Sequence, residues 1–262
     1  MAGLNKKRTF FSLLYIFLLI GIFFLLVLNM DFWQRFLGLI FPGETEVIYP
    51  RANLLELLKE HILLVLTSSG AAVFIGIIFG IYVTRPAGRD YLNIVNDISS
   101  LAQTIPPVAV LALAVPFIGF GFKPTVLALF LYSILPIIRN TISGLESVPA
   151  DLIEAAYGMG MTRFQILLKV ELPLSLKMIM AGIRTSVVIN VGTATVGAVV
   201  GAGGLGAPII SGLVRENPAF VLEGALTAAL LAFVLDQILG KTEQSLFSAY
   251  GMKEFDGEQG RR

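Results

Sequence analysis

Long apolar runs broken by short polar segments dominate this chain. A helix needs about 20 apolar residues to cross the hydrocarbon core of a bilayer. Residues 10–29 form the first such run, behind the basic cluster Lys6-Lys7-Arg8. A secretory leader starts the same way, but its apolar region spans about 7–15 residues and ends at a small-residue cleavage site. Here Asp31-Phe32-Trp33 follows instead, which favours a retained anchor. Further spans are predicted over residues 63–83, with an interfacial start near Asn53, and over 94–118, with Pro106-Pro107 and Pro116 inside. The remaining three cover 125–144, with Arg139 near one end, then 178–200 and 220–240. Glu223 and Asp236 lie near the ends of the last, where charged side chains can snorkel to the interface. The predicted fold class is therefore all-α, a polytopic membrane bundle of about six helices.

Six spans put both termini on one side of the membrane. Of the 19 Lys and Arg residues, only Arg35, Arg51, Lys59, Lys123 and Arg215 fall on the opposite side. The positive-inside rule then places both termini in the cytoplasm. The layout that follows is a cytoplasmic N-terminus over 1–9, an anchor helix over 10–30 and an external interfacial loop over 31–53. A transmembrane domain over 54–240 contains a cytoplasmic loop at 145–177, and a cytoplasmic tail covers 241–262. The aromatic residues Phe32, Trp33, Phe36 and Phe41 around Arg35 suit a segment lying in the interface. The stretch 256–262 is short, polar and expected to be disordered. No internal repeat and no second domain is evident.

Composition agrees with this reading. The chain is 56% hydrophobic and only 14% charged, with a mean hydropathy of +0.82. A soluble domain of this length would need more charge to cover its surface. A net charge of +1 gives no argument for nucleic acid, and the absence of cysteine excludes thiolate chemistry.

The cytoplasmic insertion carries the most information. Pro149 suits the first turn of a helix, and Asp151 suits that turn's dipole. This helix should reach about Tyr157, with Gly158 and Gly160 ending it in left-handed geometry. Thr162 and Gln165 have the spacing of a capping box that opens a second short helix. Ile166, Leu167, Leu168 and Val170 give that helix an apolar side, and Pro173 is expected to end it. An ordinary interhelical loop and a partner-docking segment are both compatible with this pattern, because loops with helices of their own are often functional.

The register of the insertion carries a resemblance. Glu154-Ala155-Ala156, then Gly160, then Leu172-Pro173 resembles the EAA motif of ABC importer permeases: Glu-Ala-Ala, three residues, Gly, nine residues, Ile, one residue, Leu-Pro. Val170 stands at the Ile position. Several flanking runs resemble osmoprotectant permeases of the MetI-like fold: Gln103-Thr-Ile-Pro-Pro107, Leu131-Tyr-Ser-Ile-Leu-Pro136, Ile189-Asn-Val-Gly-Thr-Ala-Thr195 and Gly201-Ala-Gly-Gly-Leu-Gly206. Thr84-Arg-Pro86 and the run from Val115 to Gly121 are most similar to the YehW-type glycine betaine branch. The resemblance covers residues 60–240 and leaves the first helix and the following loop outside a five-span core.

The resemblance implies that Glu154, Ala155, Ala156, Gly158, Gly160, Leu172 and Pro173 dock and couple to a cytosolic ABC ATPase dimer. ATP and Mg would be used by that partner, with no cofactor on this chain. It also implies a second permease chain, an extracytoplasmic substrate-binding protein, and a small zwitterionic or cationic substrate such as glycine betaine or choline. Methionine or another small polar solute is the nearer alternative.

Ser186, Asn190, Thr193 and Gly197 share one helical face, which fits either helix packing or a substrate path. Ser69, Gln103, Thr104, Pro106 and Pro107 carry the same two readings. Asp97 and Asp236 suit pairing with nearby Arg or Lys better than proton carriage. Gly201, Gly203 and Gly206 satisfy G-x-G-x-x-G, but a dinucleotide site needs a preceding strand within a βαβ unit. A tight external turn with Gly203 at a gate is the expectation instead. The lone His61 cannot build a metal or catalytic cluster by itself. An ion-coupled secondary transporter would show inverted repeats and ionisable midplane groups, and a membrane enzyme would show catalytic groups. The sequence displays neither set.

Overall fold

The computed structural model describes the backbone of residues 2–102 and 104–249, with side chains from residue 14 to 246 apart from Asn96 and Gln103. The described residues form helices and connecting turns, with no strand. Helix α1 (Ala2–Leu28) carries the first apolar run. The Asn29 side chain accepts the Phe32 N–H and starts α2 (Met30–Ile40), so the predicted external loop is helical over its first half. The two helices meet at a bend of 75°. Trp33 sets that bend: its indole N–H donates to the Leu26 carbonyl at 2.9 Å, and the ring is buried against the main core with Leu37.

Helix α3 (Leu54–Thr84) starts at a full capping box between Asn53 and Glu56, so the predicted interfacial start and span are one rod. The predicted third span is split. A 3₁₀ turn (Arg89–Tyr91) leads into α4 (Leu92–Ala102), and α5 (Pro107–Ile118) begins after a sharp bend. Two successive prolines remove two amide donors and force the residue before each out of helical geometry. Pro106 is extended (φ −62°, ψ 137°) and Pro107 begins the new helix.

Helix α6 (Phe122–Glu146) lies between α3 and α9, which is Leu172–Ala194. Small residues set these contacts: a Cβ at Gly80 would lie 2.7 Å from Thr141, and one at Gly182 would lie 2.6 Å from Asn140. Between α6 and α9 stand α7 (Ala150–Gly158) and α8 (Arg163–Ile166). After α9 the chain makes a 3₁₀ turn (Thr195–Val200), then α10 (Gly206–Arg215) and α11 (Pro218–Ala249). Helix α11 runs past Gly240, where the predicted span ended, and takes in the start of the predicted tail. The rest of the tail, 250–262, lies outside the described residues.

By length and composition three helices can cross a membrane (α3, α6 and the Leu246-bounded part of α11), or five if each bent pair counts as one. The predicted span left over, the fifth at 178–200, is α9, which is less apolar because it carries Lys177, Arg184 and Asn190. Packing answers that polarity. Arg184 donates to Asp236 on α11 through Nε at 2.6 Å and Nη2 at 2.7 Å, with Glu243 at 3.9 Å. Asp236 is thus paired, as expected, whereas Asp97 is exposed and makes no ion pair among the described residues. Glu223 does not snorkel. It is buried and accepts the Tyr49 N–H at 2.8 Å, because the segment before α3 folds over α11. Large apolar side chains such as Phe17, Leu25, Phe74 and Phe117 are left on the outside, an arrangement suited to hydrocarbon rather than water.

Asp236→Ala is expected to lower the thermal midpoint of the detergent-solubilised protein by several degrees. Hydrogen bonds to charged groups contribute about 1.5–3 kcal/mol, and partial exposure puts this pair at the low end. Replacing both Arg184 and Asp236 by leucine is expected to recover part of the loss, because no uncompensated charge remains. A single variant that melts with the wild type would show that the pair does not hold α9 to α11.

Candidate functional site

Two regions concentrate the residues singled out in the sequence. The first is the insertion between α6 and α9. Pro149 is the N-cap of α7 rather than a member of its first turn, with Asp151 one position inside the helix. The helix ends in a Schellman motif. The Gly160 N–H donates to the Tyr157 carbonyl at 2.9 Å and the Met161 N–H to the Ala156 carbonyl at 3.1 Å. Gly160 alone of the two predicted glycines is left-handed, at φ +79°, and Gly158 is the last residue of the helix. A Cβ on Gly160 would meet nothing within 4 Å, so backbone conformation rather than space requires glycine there.

The loop buries a narrow face and exposes a broad one. Ala156 and Ile166 are buried, while Leu152, Tyr157, Met159, Phe164 and Leu168 are exposed beside Glu154 and Ala155. Thr162 and Gln165 form the expected capping box, with Thr162 N–H to Gln165 Oε1 at 2.8 Å and Gln165 N–H to Thr162 Oγ1 at 3.3 Å. Pro173 does not end this second helix. A π turn (Leu167–Glu171) joins α8 to α9, and the Leu172 N–H reaches back five residues to the Leu167 carbonyl. That widened turn accommodates a proline in the first turn of α9, where a missing N–H costs little. Leu172 and Pro173 are therefore half-buried at the root of α9. Beside them, Arg85 Nη1 donates to Glu171 Oε2 at 2.7 Å, a contact that sequence reasoning missed because 86 positions separate the partners.

The second region is polar and lies among α3, α6, α9 and the glycine run. Asn190 Nδ2 donates to Ser68 Oγ and Ser69 Oγ, each at 2.9 Å, and all three residues are buried. Ser186 Oγ donates to the Ser133 carbonyl of α6 at 2.7 Å. The face that carries Ser186 and Asn190 thus ties α9 to its neighbours. Ser69 also borders an open apolar groove of about 450 Å³ lined by Leu66, Val73, Phe74 and Val187. Thr193 bonds back to the Ile189 carbonyl of its own helix. Thr104 caps the end of α4 through the Leu101 carbonyl. Thr104 and Pro106 are exposed and Pro107 is half-buried at the α4–α5 break; Gln103 lies outside the described residues. No hydrogen bond among the described residues joins that break to the Asn190 cluster.

The glycine run is clasped by α3. Gly201, Gly203 and Gly204 are all left-handed. Glu60 Oε2 accepts the Gly204 N–H at 2.8 Å, and His61 Nδ1 accepts the Leu205 N–H at 3.3 Å. Since Nδ1 accepts, Nε2 carries the proton and donates to the Val191 carbonyl at 2.9 Å. The lone histidine is therefore a structural cross-brace, and the run follows a 3₁₀ turn rather than a strand. Glu60 was not visible as a partner, since nothing local marks a contact 144 positions away.

Residues 72–247 match the family described as binding-protein-dependent transport system inner membrane component. The osmoprotectant import permease protein OsmY of Salmonella typhimurium is 45% identical over 189 residues, covering 72% of this chain and 80% of that protein. The glycine betaine/carnitine/choline transport system permease protein OpuCD of Bacillus subtilis is 44% identical over 176 residues, 67% of this chain and 76% of that protein. Among solved structures, an inward-facing form of the MetNI methionine ABC transporter superposes with a TM-score of 0.65 at 25% identity. That superposition covers 74% of this chain and 95% of the other.

Proposed function

This chain belongs to the family of binding-protein-dependent transport system inner membrane components, and on that premise we propose that it is the osmoprotectant-conducting permease of an ATP-driven importer. Glycine betaine, choline or carnitine is the cargo class, carried over from the relatives named above. One observation carries the mechanism: the insertion between α6 and α9 holds two short helices around the cap at Gly160, and leaves Leu152 and Tyr157 of α7, Met159 at its end and Phe164 of α8 exposed. An apolar patch of this kind next to Glu154 suits a groove on a partner protein.

In this reading a cytosolic ATPase dimer docks on Glu154, Ala155, Ala156, Gly158 and Gly160. ATP and Mg act in that partner. The root of the loop, Leu172-Pro173, passes movement into α9, and both termini face the cytoplasm with the docking loop. A second permease chain completes the path, and an external binding protein delivers the cargo. Thr104, Pro106, Pro107, Thr193 and Gly203 remain as path or gate positions, with Gln103 beside them in sequence. The hydrogen bonds of Ser69 and Asn190 favour packing for those two. A trimethylammonium group needs no buried counter-charge if aromatic faces hold it, and such a cage suits the binding protein.

The test is to purify the binding protein encoded with this chain and titrate it with glycine betaine, choline, carnitine and methionine. Proteoliposomes holding the assembled complex are then assayed for ATP-dependent uptake of the tightest ligand. Uptake of a quaternary amine supports the reading, and binding and uptake of methionine alone would overturn the cargo assignment.

A further inference from the structure

A docking loop transmits force only if something stiff connects it to the spans. The chain enters the loop from α6 through residues 147–149 and leaves it through the π turn into α9. A non-covalent connection to a third span is the contact between Arg85 and Glu171. Helix α3 ends at Thr84, and Arg85 is its extended C-cap residue (φ −86°, ψ 156°). The chain then closes a tight turn, with the Gly88 N–H on the Arg85 carbonyl at 2.9 Å. Arg85 is thus fixed at the rim of α3 rather than carried on a loose loop. Glu171, the last residue of the π turn, is 7% exposed. The neighbouring charges Arg89, Asp90, Glu146 and Lys169 are all exposed, and none pairs with Arg85 or Glu171 among the described residues.

We propose that the Arg85–Glu171 ion pair is a positioning strut that carries displacement of the α7–α8 loop across to α3. This rests on the docking role proposed above. The π turn makes the strut matter, because its spare carbonyl geometry lets the segment before α9 shift without breaking a regular ladder. Without the pair, movement of the loop could be absorbed there. With it, the carboxylate at the end of the turn pulls on the rim of α3. Helix α3 reaches the glycine run at its other end through Glu60 and His61, so a single rod joins the docking side to the clasp.

The contact is made by one guanidinium nitrogen. A lysine ammonium can therefore replace it, which would not hold for a bidentate pair. The experiment compares wild type with Arg85→Lys, Arg85→Gln and Glu171→Gln, each in full complex with its ATPase and binding protein. Three quantities are read: co-purified ATPase, ATP hydrolysed, and substrate imported per ATP. Arg85→Gln and Glu171→Gln are expected to retain ATPase and hydrolyse ATP, but to import at least about tenfold less substrate per ATP. Arg85→Lys is expected to stay within about twofold of wild type. Wild-type import per ATP in Arg85→Gln would overturn the proposal, as would a loss matched by an equal loss of bound ATPase. Failure of the wild-type chain to hold any ATPase would instead overturn the docking role itself.

Discussion

Gly160→Pro is expected to abolish ATP-driven uptake while leaving the chain in the membrane. Proline fixes φ near −65°, whereas Gly160 sits at +79°. It also lacks the N–H that Gly160 gives to the Tyr157 carbonyl. The Schellman cap therefore cannot form, and the direction in which the chain leaves α7 changes. Misplaced proline costs about 3 kcal/mol or more, equivalent to roughly a hundredfold loss of the capped population. Gly160→Ala separates conformation from bulk, because no atom lies within 4 Å of the added carbon. Holding alanine in left-handed geometry costs roughly 1–2 kcal/mol, so this variant is expected to lose about 5- to 30-fold in ATPase association. Affinity purification of the permease followed by quantification of bound ATPase checks both, alongside uptake into proteoliposomes. Wild-type association and uptake in Gly160→Pro would show that the α7 cap has no part in docking.

That prediction could be written from sequence because its chemistry is local. A Schellman end, a capping box and a proline pair each act within about six residues. Thr162 with Gln165, the acidic Asp151 and the break at Pro106-Pro107 were therefore legible, though the proline break was underestimated as a feature inside one span. The location of spans was legible for the same reason, since twenty apolar residues in a row announce themselves. Pro173 was misread because a local rule was overridden by a slightly wider one. Proline ends an α-helix, but a π turn immediately before it supplies the room its ring needs, and no short motif distinguishes the two outcomes. The aromatics around Arg35 suggest an interfacial loop, whereas α2 is a helix whose buried face, Trp33 and Leu37, packs against other elements. Burial of that kind follows from the 75° bend, not from composition.

Long-range polar contacts were the least legible. Arg85 with Glu171, Glu60 with Gly204, and Tyr49 with Glu223 join residues 86, 144 and 174 positions apart. Each residue type was visible, and each was compatible with a solvated or snorkelled end. The helical period places Asn190 on the face it shares with Ser186, where small and hydroxyl residues favour packing without excluding a path. The two serine hydroxyls at 2.9 Å account for its amide donors. A membrane helix gains from such a contact because its alternative is an unpaired amide in hydrocarbon.

Gly203→Val is expected to leave ATPase association intact and reduce uptake by about a hundredfold or more. Two costs combine. Gly203 is left-handed at φ +76°, where a β-branched residue is strained by at least the roughly 1–2 kcal/mol that any side chain meets there. An added Cβ would also collide with the Glu60 carboxylate. Moving that carboxylate breaks its hydrogen bond from Gly204 N–H, and bonds to charged groups contribute about 1.5–3 kcal/mol. The combined cost falls on the clasp between α3 and the glycine run and not on the α7 loop, which is why association and uptake should separate. Glu60→Gln keeps an oxygen acceptor in place and is expected to stay within about tenfold of wild type. Glu60→Leu removes the acceptor and should approach Gly203→Val. If Gly203→Val assembles normally and transports as wild type, the clasp is not a gate. If assembly and uptake fall together, the glycine run serves folding alone, and the mobile element must be sought at the α4–α5 break instead.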